Sequence, residues 1–238
     1  MTTSIIIPLG TGSRNNDLEL RYALRSVEKH LTGYGDVFIV GEKPDWLRNI
    51  THIPCPDYGD KTYDKERNIY TKIMAACTDD RVTEDFLFMN DDHYLLQDYE
   101  AGQFPYYCHG WVSEFKTVTD YKHTIKNTIT RLQPLGHDIP YFDIHCPIIY
   151  SKDKFTWVIP GIGWGKPFGY CIKTVYGNCI EGLKATEYPD LKINESYPAS
   201  KIRQLLTGRP WFSIGDKAFN GGIRHVLQDL YPHKSKYE

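Results

Sequence analysis

The sequence predicts an α/β protein built on an open, twisted, mostly parallel sheet flanked by helices. Uninterrupted apolar runs at Ser4-Ile5-Ile6-Ile7, Val37-Phe38-Ile39-Val40 and Phe86-Leu87-Phe88-Met89 have the pattern of strands buried on both faces. Between them, apolar residues recur at helical spacing. The chain has 238 residues, 41% of them hydrophobic and 24% charged, which fits one globular domain and excludes wholesale disorder. We read residues 1–100 and 101–238 as two halves of a single domain.

The first strand, residues 4–7, ends at Pro8. The segment Leu9-Gly10-Thr11-Gly12-Ser13-Arg14-Asn15-Asn16 has loop composition. Asn16 followed by Glu19 predicts a capping pair for a helix, whose buried stripe is Leu20, Leu24, Val27 and Leu31. Gly33 and Gly35 stop that helix, and Asp36–Val40 is the second strand. This β-loop-α-β unit, with glycines in its first loop, is the usual opening of a nucleotide-binding sheet. A Pro- and Asp-rich connection over 51–64 leads to a second helix with Ile69, Ile73 and Ala76 on one face. The third strand, Asp85–Met89, ends abruptly in Asn90-Asp91-Asp92-His93. Beyond residue 100 the pattern predicts a strand over Tyr141–Tyr150, a helix over 166–176 and a helix over Pro198–Leu206. A strand over Trp211–Asp216 and a last helix carrying Ile223, Val226, Leu227 and Leu230 follow, with a frayed tail over 233–238.

Lys plus Arg is 28 and Asp plus Glu is 30, a formal charge of -2. Nonspecific coating of nucleic acid by a polycation is therefore excluded, although a local basic groove is not. No stretch approaches the apolar length of a membrane span, and Met1–Pro8 lacks the basic segment of a signal peptide. The six cysteines form no C-x-x-C pair and read as reduced structural thiols, so the expected setting is cytoplasmic.

The strongest chemical signal is Asn90-Asp91-Asp92 at the end of a buried strand, where ligands of open α/β sheets sit. Adjacent carboxylates there suit a hard divalent cation that shares its shell with phosphate oxygens. The competing reading is an Asp pair serving a turn or helix cap. The loop Pro8–Arg14 offers backbone N–H groups to an anion, without the G-x-G-x-x-G spacing or a Walker lysine. Arg67 and Asn68 open the second helix, where a guanidinium either reaches a diphosphate or faces solvent. His145, before Cys146 and Pro147, is a base or a core histidine. Asp216 is a site carboxylate or the cap of the following helix. His93 either joins the Asp pair or fills space on the opposite face.

Taken together, Ser4–Pro8, the following helix, Val37–Val40 and Asn90-Asp91-Asp92 resemble a GT-A glycosyltransferase. A closer likeness is to the Stealth family of sugar-phosphate transferases. Asn16–Glu28, Val37–Val40, Pro44-Asp45-Trp46-Leu47 and Phe86–Asp92 resemble that family's second conserved region. His145-x-Pro147 resembles its third region and Phe212-Ser213-Ile214-Gly215-Asp216 its fourth. Two departures stand out: His93 follows the Asn-Asp-Asp where Stealth proteins commonly have methionine, and Asp57–Thr83 is closer to an ordinary GT-A helix.

The resemblance implies a GT-A fold and a metal-dependent transfer from a nucleoside-diphosphate sugar to a hydroxyl acceptor. Asp91 and Asp92 would hold Mn²⁺ or Mg²⁺. Pro8, Leu9, Gly10, Arg14, Glu42, Arg67, Asn90 and Asp91 would bind the donor, and His145 or Asp216 would serve as catalytic base. A Stealth-type hexose-1-phosphate transfer and a catalytically silent sugar- or nucleotide-binding module are the alternatives. The expected acceptor is a hydroxyl-bearing polymer, first a glycan and second DNA carrying hydroxymethylated pyrimidines, with no membrane anchor. The DNA option rests on Lys116, Lys122, His123, Lys126 and Arg131 interleaved with Phe115 and Tyr121, a run that also reads as a solvated helix face.

Overall fold

The computed structural model describes residues 2–60, 63–136, 138–158 and 165–238; Met1 and the 61–62 part of the Pro- and Asp-rich connection lie outside them. The architecture is α/β, with a mixed, mostly parallel sheet flanked by helices. Five strands form the main sheet: β1 (Thr3–Leu9), β3 (Tyr34–Gly41), β4 (Thr51–Ile53), β5 (Asp85–Phe88) and β9 (Ile148–Ser151), in the spatial order β4-β3-β1-β5-β9. The first four are parallel and β9 runs antiparallel against β5. Ile5, Ile6 and Ile7 are fully buried because β1 lies at the centre, with neighbours on both edges and side chains covered on both faces.

Helix α1 (Leu18–His30) buries Leu20, Ala23, Leu24 and Val27, and α2 (Lys65–Cys77) buries Ile73 and Ala76 against β1 and β3. The predicted capping pair is not used. Asp17 is the N-cap residue, with φ 54° and no side-chain bond to the helix, and Glu19 is instead held by Ser13 Oγ and Asn15 Nδ2 at 3.1 and 2.6 Å. Leu31 starts a short strand, β2 (Leu31–Thr32), and Gly35 lies inside β3 rather than ending α1. Strand β2 pairs with β7 (Tyr99–Glu100), and β8 (Tyr106–Cys108) pairs with β10 (Ala185–Glu187).

Residues 141–147 are irregular, and only Ile148–Ser151 of the predicted 141–150 strand pairs with β5. The cause is local. Pro147 has no N–H to give a ladder, and the carbonyls of Ile144 and Cys146 accept from Lys173 Nζ at 2.9 and 2.6 Å. The Asp143 carboxylate takes the N–H groups of Lys173 and Thr174 at the start of α5 (Ile172–Cys179), so that helix begins later than the 166–176 pattern indicates.

A second, small sheet joins β6 (His93–Leu95), β12 (Trp211–Ile214) and β11 (Lys192–Ile193) in the order β11-β12-β6. Its register sets Lys192 beside Ser213 and Ser213 beside His93. Helices α3 (Tyr121–Leu132), α4 (Lys152–Val158), α6 (Ala199–Leu206) and α7 (Gly222–Leu230) complete the α content of the described residues. The tail is packed rather than frayed. Tyr237 is buried, and the Glu238 carboxylate receives Arg21 and Arg25, with N···O distances of 3.1 and 2.6 Å. All six cysteines are free thiols, and among the described residues no helix is long and apolar enough to cross a membrane.

Candidate functional site

The strand order creates the site. From β1 the chain moves to β3 and β4 on one side, then returns to place β5 on the other, so the connections after β1 and β5 diverge at a topological switch point. The register Ile6 to Phe88, and the Met89 N–H donated to Ile6 O at 3.0 Å, bring the Pro8–Gly10 loop beside Asn90–Asp92. Gly10 packs against the Asp57 carboxylate, where a Cβ would lie 2.7 Å from Oδ2. A cavity of about 490 Å³ opens at this edge. Pro8, Leu9, Gly10, Asn90, Asp91, Asp92 and Asp216 line it. Arg14 and Glu42 are exposed and outside the lining, and the Arg67 guanidinium lies 4.4 Å over the Tyr58 ring, also outside it.

Asn90–Asp92 is the turn by which the chain leaves the main sheet for the small one. His93 closes that turn: its Nδ1 accepts the Asn90 N–H and its own N–H donates to Asn90 O, both at 3.3 Å. An accepting Nδ1 leaves the proton of the neutral ring on Nε2. The ring is fully buried, and burial holds it well below the usual histidine range and hence neutral. Across the small sheet, Ser213 Oγ and Lys192 Nζ donate to Asp92 Oδ2 at 2.8 and 3.2 Å. The other oxygen, Oδ1, has no hydrogen-bond partner, and His93 Nε2, also unpartnered, stands 3.9 Å from it.

The two carboxyls diverge in acidity. Burial, with Asp92 and Glu19 close by, pushes Asp91 well above the usual carboxylate range. Burial acts the same way on Asp92, but the Lys192 ammonium and the Ser213 hydroxyl outweigh it and hold the group well below the usual carboxylate range. Glu19, Asp57 and Asp216 add further negative charge to the lining, against Lys65, Lys72 and Lys192; Lys72 is committed to Asp57 and Lys192 to Asp92.

A divalent cation fits this donor set. The lining carries surplus negative charge, and Asp92 Oδ1 is a carboxylate oxygen without a partner. Among the described residues no cluster of three or more His, Cys, Asp or Glu is arranged to hold a metal. A magnesium-type site with one or two carboxylates completes its shell with water and substrate phosphate and needs no such cluster.

A second cavity of about 400 Å³ adjoins the first, with Lys65, Ile69, Asn90 and Lys192 lining both. His145 lines it, held by Asp190: Nδ1 is 2.6 Å from Oδ2, and the His145 backbone N–H donates to Oδ1 at 3.1 Å. That contact assigns the Nδ1 proton to the carboxylate side and leaves Nε2 as the accepting nitrogen. His145 and Asp216 thus face adjoining cavities on either side of Asn90 and Lys192. Of the basic run, Lys116, Lys122, Lys126 and Arg131 are exposed and His123 stacks on Phe168, while Phe115 and Tyr121 line the second cavity.

Sequence reasoning passed over Lys192, Asp190, Ser213 and Glu19 as site residues. Ser213 lies within the Phe212–Asp216 motif, and Glu19 has the spacing of a cap partner to Asn16. Lys192 and Asp190 stand in a segment without pattern, and only the pairing of β11 with β12 brings Lys192 to Asp92. No protein-family model matches the chain, and no curated protein is significantly similar to it.

Proposed function

We propose that this chain is a GT-A-type glycosyltransferase that moves a sugar from a nucleoside-diphosphate sugar to a hydroxyl-bearing polymer, a glycan or hydroxymethylated DNA. The observation that carries the reading is the pair of adjoining cavities. One holds the strand-end carboxylates and the glycine loop at the switch point, and the other holds a carboxylate-oriented histidine.

The first cavity suits the donor. Its anionic lining would repel a diphosphate unless a cation joined it, and Asp91 and Asp92 are the residues that would hold Mn²⁺ or Mg²⁺. Such an ion, when bound, supplies charge neutralisation at the diphosphate. Lys192, already at the Asp92 carboxylate, adds a fixed positive charge at the boundary between the cavities. In the second cavity His145 Nε2 takes the proton of the acceptor hydroxyl. The oxygen attacks the anomeric carbon as its bond to the diphosphate breaks, and the electron pair leaves with the nucleotide. Asp190 keeps the ring in the accepting tautomer and stabilises the imidazolium that forms. A positioned base of this kind supports an inverting displacement.

A donor screen with Mn²⁺, scoring hydrolysis of each nucleotide-sugar and identifying the nucleotide released, tests the proposal. Release of a nucleoside diphosphate is the expected result. Release of a nucleoside monophosphate would assign a Stealth-type hexose-1-phosphate transfer instead, and binding without turnover of any donor would assign a silent binding module.

A further inference from the structure

We infer that the second cavity is the acceptor subsite and that it seats one pyranose ring of a glycan on the face of Phe115. This rests on the glycosyltransferase reading and deepens it by choosing the acceptor class.

Phe115 is 38% exposed in an extended segment, yet its ring is ordered against Tyr141, with centroids 4.3 Å apart and planes at 24°. Tyr141 is buried, so one face of Phe115 is backed by protein and the side chain remains open toward the cavity both rings line. A backed, half-exposed aromatic face is a platform for the C–H face of a sugar or for a base.

The groups around the platform favour the sugar. Thr117, Thr119, Asn194 and the hydrogen-bonded hydroxyls of Tyr121 and Tyr141, 3.1 Å apart, present polar atoms to the same space. Two carboxyls also face it. Asp143 is fixed by the N–H groups of Lys173 and Thr174, while Glu66 is held by no hydrogen bond or ion pair among the described residues. Carboxyl and hydroxyl oxygens pair with the several hydroxyls of a pyranose. Lys65, Lys173 and Lys192 also line the cavity, so the choice of a sugar over a base rests on these oxygen donors and acceptors rather than on charge. A cavity of about 400 Å³ is at the small end of ligand pockets and takes one ring with its linkage. His145, Asn90 and Lys192 line the same cavity, so a ring seated there shares its space with the base and with the boundary to the donor cavity.

Saturation-transfer NMR on the full chain tests this with methyl glucoside, galactoside, mannoside and N-acetylglucosaminide as probes. A single-stranded oligonucleotide carrying hydroxymethylcytosine is the competing probe. At least one pyranoside is expected to bind. Phe115→Ala should weaken it roughly tenfold, the worth of one aromatic contact, and Phe115→Tyr should restore it. Nucleoside-diphosphate binding should stay unchanged in both variants. The inference is overturned if no pyranoside binds, if Phe115→Ala leaves pyranoside affinity unchanged, or if the oligonucleotide binds in a Phe115-dependent manner and the pyranosides do not. Donor turnover by the wild-type chain is scored separately, so a protein that binds pyranosides through Phe115 but hydrolyses no nucleotide-sugar would refute the transferase reading while leaving the subsite in place.

Discussion

Asp190 grips His145 twice, through the ring Nδ1 at 2.6 Å and through the backbone N–H at 3.1 Å. One carboxylate thereby fixes both the rotamer of the imidazole and the path of the irregular segment that carries it. Burial pushes the Asp190 carboxyl up, but its hydrogen bonds to the His145 ring and backbone N–H, with Lys173 nearby, outweigh burial and hold it below the usual range, so it is an anion at neutral pH.

Asp190→Asn keeps the shape of the contact and removes the charge. An amide that donates its N–H to Nδ1 forces the proton to Nε2, the wrong nitrogen for a base. The expected result is a fall in kcat of about 10²–10⁴-fold, with the donor KM unchanged and partial recovery in Asp190→Glu. Steady-state kinetics at saturating donor checks this; a parallel change in KM and kcat would point to a merely structural contact.

Metal dependence is expected to run through Asp91 and Asp92. Asp92 is hydrogen-bonded to Ser213 and paired with Lys192, so Asp92→Ala also leaves two donors without a partner and costs about 1–3 kcal/mol of stability. Asp92→Asn separates the effects better. It should retain the fold, judged by Tm, while Mn²⁺ affinity in the presence of a nucleoside diphosphate falls by orders of magnitude. Undiminished Mn²⁺ binding in calorimetric titration, or full turnover after chelation, would remove the carboxylate pair from this role.

Lys192 lines both cavities, and its charge serves Asp92 before any ligand arrives. Lys192→Gln should weaken nucleoside-diphosphate binding by about tenfold to a hundredfold, the worth of one charge-assisted hydrogen bond. Unchanged affinity in the variant would confine Lys192 to a structural pairing.

The legible part of this molecule was local, and the rest was set by long-range pairing. Continuous apolar runs marked β1, β3 and β5 because strands buried on both faces leave no room for alternation. The abrupt change from Met89 to Asn90-Asp91-Asp92 marked the carboxyl edge for the same reason. Asp190 and Lys192 gave no such signal: their placement depends on a two-residue strand, β11, joining β12, and periodicity cannot appear over so short a span. The irregular path of 141–147 was hidden because its carbonyls are satisfied by a lysine side chain rather than by a ladder. The tail looked frayed because its anchor, Glu238 on Arg21 and Arg25, spans more than two hundred positions of sequence.

Glu66 gives the fold a pH dependence with a defined window. Burial is the main cause that pushes its carboxyl up from 4.5 to about 7; Lys65 opposes the shift and Asp143 adds to it. The folded chain therefore holds this proton more tightly than the unfolded chain does. The associated stability is fully present below about pH 4.5 and is lost as pH rises through about 7, beyond which the contribution is flat. Glu66→Gln replaces the titrating group with a neutral one of nearly the same shape. The variant should match the wild type at the acid end of the window and become progressively more stable than it toward the upper end. Urea denaturation of both proteins across this range, with the m-values compared, measures the difference directly. A difference that stays constant with pH would show that Glu66 ionises as freely in the folded cavity as in the unfolded chain.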